Sequence, residues 1–478
     1  MSSVINTNVS SLIAQRSLSR NNTTLNSSLQ RLSTGLKINS GADDPAGLIA
    51  SEALKAERTG ISSAIDNANR ASNIIGTAEG GLNEVSNLLN QLQGLVNQSS
   101  NTGALSADEI SANQLQVDSI LNTVNRIANS TSFQGKNLLD GSLAYTLSSA
   151  GTSAFAALSV NAANLPGNKT EAVVLQVTNS ATLGNVSFTA TASAGGGAGI
   201  TGASAVTLQI SGNVGSQQLS FAGSTKLSAV AAAINNIVGE TGVVASASGT
   251  KLSFKSSDYG STQFVSVASV SGTFAVVGGS SGKAFGTDAS VDVNGAKATV
   301  NGTNVIYRDN NIDLSFKLSA ALNAGKTKSF GITGGGATFS LGSEVKDTLK
   351  SSIGIQSVST GSLGDTTTGY LSSLSTGGAN QLTAKSLTTA QRILSESINQ
   401  VSSLRGRLGA FEKYTLGSTI NSLGVAFENI TAANSSIADT NFASETANLT
   451  RAQILSQAST TVLSQANSAP QSVLKLLG

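Results

Sequence analysis

The chain has 478 residues, a net charge of +2 and only 11% charged residues. So weak a field offers polyanions nothing to bind, which excludes nucleic acid as a partner. There is no His and no Cys, which removes soft-donor zinc, haem and iron–sulfur ligation, disulfides, and the two commonest catalytic side chains.

No run of about 18 apolar residues is present to span a membrane. Residues 1–11 have neither the basic start nor the apolar core of a cleavable signal peptide. If the protein leaves the cell, a separate machine must export it.

Residues 1–40 carry Leu18, Leu25, Leu29, Leu32 and Leu36 in steps of seven, four, three and four, preceded by Val9, Leu12 and Ile13. This narrow stripe predicts a long amphipathic helix that pairs with another helix. The pattern stops at Ser40-Gly41-Ala42-Asp43-Asp44-Pro45. Asp43 and Asp44 are adjacent carboxylates that could hold a cation, but their place before Pro45 suits helix capping better. Asp44 is the expected N-cap and Pro45 the first helical residue, where its missing N–H costs nothing.

The next helix runs through Glu52 and Glu57 to an expected interruption at Gly60. Beyond it lies the stretch that organises the chain. Ile61, Ala68, Ile75, Leu82, Leu89 and Val96 fall seven apart, with Ala64, Ala71, Ala78, Val85 and Leu92 three residues after the first five. Apolar a and d positions over about five heptads make a coiled-coil seam. A seam roughly 50 Å long, at about 1.5 Å per residue, needs a partner of similar length. A third helix starts at Ser106 or Asp108, with Ile110, Val117 and Val124 on its stripe, and ends before Phe133-Gln134-Gly135.

From about Leu143 helical periodicity fades and short alternating runs appear: Val206-Leu208-Ile210, Leu219-Phe221, Leu252-Phe254, Val265-Val267, Val291-Val293 and Ile312-Leu314-Phe316. These are strand signals between Gly, Ser and Asn turns. One helix, with Leu227, Val230, Ile234 and Val238 on a face, interrupts them. A β-rich insertion over about 168–335 is expected.

The partner seam follows. Leu387, Leu394, Val401 and Leu408 step by seven, the phase shifts by one residue near Tyr414-Thr415, and Leu416, Leu423, Ile430 and Ile437 resume it. The extra residue should change the winding locally. A last stripe, Leu449, Leu455, Val462, Ala466 and Val473, predicts a terminal helix that pairs with residues 1–40. The expected fold is α+β and multidomain: a long antiparallel helical bundle formed by the N- and C-terminal segments, with the β-rich insertion between them.

Chemical motifs do not assemble. Gly195-Gly196-Gly197-Ala198-Gly199 lacks a following Gly-Lys-Ser/Thr, and Gly325-Lys326-Thr327 has Ala320 where a phosphate loop needs Gly. Serines have no His base. The polar faces are Ser, Thr, Asn and Gln, unlike the basic faces of membrane-surface helices. No catalytic residue, metal site or cofactor is expected.

Several stretches resemble bacterial flagellin: Gln30-Arg31-Leu32-Ser33-Thr34-Gly35-Leu36-Lys37-Ile38-Asn39-Ser40, Asp43-Asp44-Pro45-Ala46-Gly47-Leu48, Phe133-Gln134-Gly135-Lys136-Asn137-Leu138-Leu139, Ser403-Leu404-Arg405-Gly406-Arg407-Leu408-Gly409-Ala410-Phe411, Glu428-Asn429-Ile430-Thr431-Ala432-Ala433, Thr450-Arg451-Ala452-Gln453-Ile454-Leu455, and Gln465-Ala466-Asn467-Ser468-Ala469-Pro470-Gln471-Ser472-Val473-Leu474. Together they span about 1–143 and 385–478. Leu227 to Val267 is similar to an insertion module of some flagellins and hook-associated proteins.

The resemblance implies an exported subunit that self-assembles into the helical flagellar filament. It further implies an inner tube from 1–43 and 433–478, an outer tube from 44–167 and 336–432, and a solvent-facing domain at 168–335. Implied partners are further copies of the chain, hook-associated and cap proteins, and an export chaperone at the C-terminal helix. The alternative is a hook–filament junction protein with the same terminal helices. An inserted metallopeptidase needs His-Glu-x-x-His and is excluded. Many flagellins meet an animal innate receptor through an Arg, a Leu and a Glu. The matching positions here are Gln91, Leu95 and Gln116, so both charges of that trio are absent.

Overall fold

A computed structural model describes residues 7–101, 105–148, 154–165, 170–189, 205–274, 276–277, 282–319, 325–382 and 387–477, with the side chains of 276–277 and 470–477 left aside. The chain divides into two compact units. One comprises Met1–Asn69, Leu341–Val345 and Gly417–Gly478; the other comprises Arg70–Ser340 and Lys346–Leu416.

The first unit is helical. Helix α1 spans Val9–Thr34, and Gly35 ends it in the left-handed conformation (φ +73°), its N–H donating to the Arg31 carbonyl at 2.9 Å. This stop comes earlier than the expected break at Ser40-Gly41, because a left-handed glycine closes the last turn without Cβ strain. Leu36, the last residue of the predicted stripe, instead forms an antiparallel bridge with Asp439. Lys37 N–H donates to Ala438 O at 2.7 Å and Thr440 N–H to Gly35 O at 2.9 Å. The loop after α1 is thereby stitched to the connection between α7 (Gly417–Ala438) and α8 (Phe442–Leu477).

Helix α2 is unbroken from Pro45 to Ser99, so the expected interruption at Gly60 does not occur. Gly60 has a packing role instead: a Cβ there would run into the Ser343 carbonyl oxygen, whereas Gly76 and Gly80 have open space on that side.

In the second unit, the rest of α2 runs with α3 (Ala107–Ser130) and α6 (Leu387–Ala410). Ser106 caps α3 in a reciprocal capping box with Glu109, and the Ser106 N–H and hydroxyl hold the Glu109 carboxyl below its ordinary range. A tight hairpin pairs Ser132–Phe133 with Lys136–Asn137. Both turn residues, Gln134 (φ +49°) and Gly135 (φ +79°), are left-handed, as a two-residue hairpin turn demands.

The β-rich part holds two cores. In the first, a five-stranded sheet (Ala296–Lys297, Ser290–Val293, Glu171–Asn179, Thr327–Gly335, Tyr145–Ser148) and a four-stranded sheet (Thr299–Asn301, Asn304–Arg308, Ile312–Leu318, Phe155–Ala163) bury Phe155 edge-on against Phe316 and Phe330, at 5.5 and 6.0 Å. In the second, two four-stranded sheets join α4 (Leu227–Asn236) and α5 (Val238–Thr241) around Leu208, Leu227 and Phe254. Strands therefore begin at Tyr145 and Phe155, ahead of the expected edge at 168. Phe155–Ala163 is buried on both faces, so no alternation marks it. The Gly195–Gly199 run lies outside the described residues.

Gly60→Ala should cost the monomer about 1–3 kcal/mol, because the new methyl collides with fixed backbone. Gly76→Ala should stabilise it by about 1 kcal/mol, because an exposed helical glycine loses to alanine. Urea titration of the two variants checks the opposite signs.

Candidate functional site

Among the described residues no cluster of acidic side chains could hold a metal ion, and no helix is long and apolar enough to cross a membrane. The surfaces that carry function are the helical seams and the faces that they leave outward.

On α2, Ile61, Ala68, Ile75, Leu82, Leu89 and Val96 are all buried, and so are Ala64, Ala71, Ala78, Val85 and Leu92 between them. On α6, Leu394, Val401 and Leu408 are buried. Ser72 donates to the Glu412 carboxylate at 2.6 Å, and Glu79 meets Arg405 at 4.0 Å. Those two contacts step seven residues in opposite directions, so the helices run antiparallel. On α7, Leu423 and Ile430 are only half-buried.

Between α6 and α7, Phe411–Leu416 forms a π-helical turn. It coincides with the one-residue phase shift read at Tyr414-Thr415. A π turn holds one more residue than an α turn, so it absorbs the extra residue and lets the heptads on either side keep their packing.

Asp44 accepts from the Gly47 N–H at 2.9 Å, as an N-cap does, with Pro45 opening the helix. Asp43 caps the preceding turn instead. It accepts from the N–H groups of Ser40 (2.8 Å) and Asn39 (3.1 Å) and from the Ser40 hydroxyl. The Ser40 bonds first, then Asn39 and the Arg31 charge 3.8 Å away, hold its carboxyl below the usual range.

The terminal pair differs from the expectation in its face. Helices α1 and α8 run antiparallel, tied by Asn8 Nδ2 to Ala466 O (2.8 Å), Asn21 Nδ2 to Leu455 O (3.2 Å) and Ser456 to Asn22 (2.8 Å). The covered face of α1 comprises Ser11, Ala14, Leu18, Asn21, Leu25, Ser28 and Leu32; that of α8 comprises Glu445, Ala452, Ser456, Ser459, Leu463 and Ala466. Leu18, Leu25 and Leu32 lie on it. Leu29, Leu455 and Val462 do not: they are 47%, 46% and 57% exposed. Side chains as small as Ala and Ser bring the backbones close enough for an asparagine to reach a helix carbonyl, which places the bulkier residues outside. Val473 falls within α8, with its side chain outside the described set.

Val9, Leu12, Ile13 and Ile454 are also exposed. The pair therefore carries a second, uncovered apolar face. Gln91 and Gln116 are exposed and Leu95 is half-buried. Asn113 Nδ2 donates to the Ser99 hydroxyl at 3.2 Å, which brings Gln116 of α3 level with the Leu95 turn of α2.

Helices that close on one another at the two ends of the chain, a β-rich excursion between them and apolar faces left uncovered define a structural, self-associating class of protein. The family model of the bacterial flagellin N-terminal helical region matches residues 5–144, and that of the C-terminal helical region matches 391–477. Polar flagellin B/D of Vibrio parahaemolyticus is 30% identical over 482 residues, covering 99% of both chains. Polar flagellin F of the same organism is 28% identical over 483 residues, and B-type flagellin of Pseudomonas aeruginosa 29% over 533 residues, each covering 100% of both chains. A looser likeness links the FliC structure from Burkholderia pseudomallei, with TM-score 0.24 and 16% identity over 71% of this chain and 98% of that one. The chain belongs to the bacterial flagellins. It is a structural subunit that self-assembles into the extracellular flagellar filament.

Deleting Tyr414, which is 69% exposed, should turn the π turn into an α turn and leave the helices intact. Deleting Ser422, beyond the π turn, should shift Leu423 and Ile430 off their stripe. Circular dichroism with thermal melting separates the two: the first deletion melts near the unaltered chain, the second well below it.

Proposed function

We propose that the paired ends, 1–43 and 433–478, form the inner tube of the filament, that 44–167 and 336–432 form the outer tube, and that 168–335 faces solvent. The observation that carries this is the uncovered apolar face of the α1/α8 pair. Val9, Leu12, Ile13, Ile454, Leu455 and Val462 are roughly half-exposed or more. Residues of this kind left in water by the subunit gain about 25 cal/mol for each Å² that a neighbouring copy covers.

The same face suits an export chaperone that holds the C-terminal helix before assembly, and hook-associated and cap proteins that meet the filament at its ends. Export without a cleavable signal peptide and the absence of enzyme activity belong to this reading. The chain's composition supports the second: it has no His or Cys.

Removing residues 450–478 should abolish elongation from filament seeds while the β-rich cores stay folded. Electron microscopy of seeded monomer, with circular dichroism of the β region, checks this, and filaments grown from the truncated chain would refute the paired-end reading.

Gln91 and Gln116 carry no charge where the receptor-binding trio of many flagellins has Arg and Glu. Purified monomer should therefore stimulate cells bearing that innate receptor at least tenfold more weakly than a Gln91→Arg, Gln116→Glu double variant.

A further inference from the structure

A groove between α1 and α8 is lined by Arg20, Arg31, Glu445, Asn448, Arg451 and Leu455 among others. Three guanidinium groups face one carboxylate there. Glu445 is 7% exposed, and its Oε1 has no hydrogen-bond partner. Arg31 Nε is buried and equally unpaired, although its other end lies 3.8 Å from Asp43. Unpaired buried polar atoms are costly, so the isolated subunit holds this groove unfinished. Arg20 and Arg451 are exposed and have no ion pair among the described residues.

Charge is divided unevenly within this unit. Helix α1 carries Arg16, Arg20 and Arg31 and no acid. Helix α8 carries Arg451 and Lys475, and its one acid is the buried Glu445. A second α1/α8 pair therefore has no exposed acid to offer the groove. Of the exposed acids in this unit without an ion pair among the described residues, Glu57 and Asp66 lie on α2 and Glu428 on α7, while Asp439, just past α7, already accepts from the Ser435 hydroxyl.

We propose that this groove receives a carboxylate from the α2/α7 segment of a second copy of the chain. The inference rests on the filament reading and deepens it. The incoming carboxylate accepts from the guanidinium groups of Arg20 and Arg451, and from Arg31 Nε once the Arg31 side chain turns toward it. The contact joins a basic groove on one copy to an acidic segment on the next, so it is heterologous. Contacts of that kind build open helical filaments wherever the rotation between copies does not close a ring.

The test is seeded elongation of the full chain at low and high salt. Arg451→Glu and Arg20→Glu should each raise the critical concentration at least tenfold at low salt, with monomer helicity unchanged. Arg451→Lys should recover most of the loss. The defect should shrink at high salt, where exposed charges are screened. Adding Glu57→Arg, Asp66→Arg or Glu428→Arg to the Arg451→Glu chain should restore elongation in at least one double variant. Wild-type elongation by both reversals would overturn the groove as a contact. A defect that none of the three acid reversals repairs would overturn the carboxylate partner. Failure of the unaltered chain to elongate would overturn the filament reading itself, and this proposal with it.

Discussion

Everything else in this molecule depends on one apolar stripe that cannot be covered locally. From Ile61 to Val96 the a and d side chains of α2 are 4% exposed at most, and mostly not at all. A single helix of 55 residues has no means of hiding such a stripe, so the chain must return to it from far along the sequence. That requirement places α6 antiparallel to α2, some three hundred residues later. It also turns everything between into an excursion of the chain that ends where α6 begins. The d positions change along the stripe, from Ala64, Ala71 and Ala78 to Val85 and Leu92. The bulkier end is the level at which α3 adds Val117, Leu121 and Val124 as further buried neighbours, so larger side chains fill the wider space among three helices.

The helical frame was legible because its signals are periodic and its punctuation is chemical. Heptads survive over many turns, Asp44-Pro45 marks a start, and Ser106 with Glu109 three residues on marks another. The extra residue that the π turn absorbs was visible too, as a step of eight between Leu408 and Leu416 in a series of sevens. Gly60 was misread because glycine has two meanings within a helix. Its low propensity suggests a break, but the Ser343 backbone pressing on α2 there requires a residue without a side chain. The β region was only half legible. Strands with one wet face, such as Val206–Gly212, alternate clearly, whereas Phe155–Ala163 and the Ala172-Val173-Val174-Leu175 run read as unbroken apolar or small residues.

The terminal pair shows how hydrophobic periodicity alone can pick the right partner and the wrong face. The stripe through Leu455 and Val462 is real, but it is not the stripe that α1 covers. The face turned to α1 is built from Ala452, Ser456, Ser459 and Ala466 around Leu463. Small residues shorten the distance between the helix axes, and hydrogen bonds such as Asn21 to Leu455 O become possible. A scale that ranks residues by apolarity overlooks such a face. It reports instead the residues whose covering must come from outside the chain.

That division of labour explains the low charge of the whole protein. Each terminal helix must present one face to its partner in the same subunit and another to neighbouring copies. A helix surrounded on most sides has little room for ionised side chains, because each buried charge needs a partner. Ser, Thr, Asn and Gln satisfy themselves against helix carbonyls, as Thr23, Thr24 and Thr34 do, and can pass from water into a polar contact at small cost. The few charges that remain therefore stand out. Arg20 and Arg451, which have no ion pair among the described residues, stand on a surface otherwise kept neutral and are retained at a cost in self-repulsion. Acids carried by another part of a neighbouring copy offset that cost, in the same way that neighbouring apolar side chains cover Leu455 and Val462.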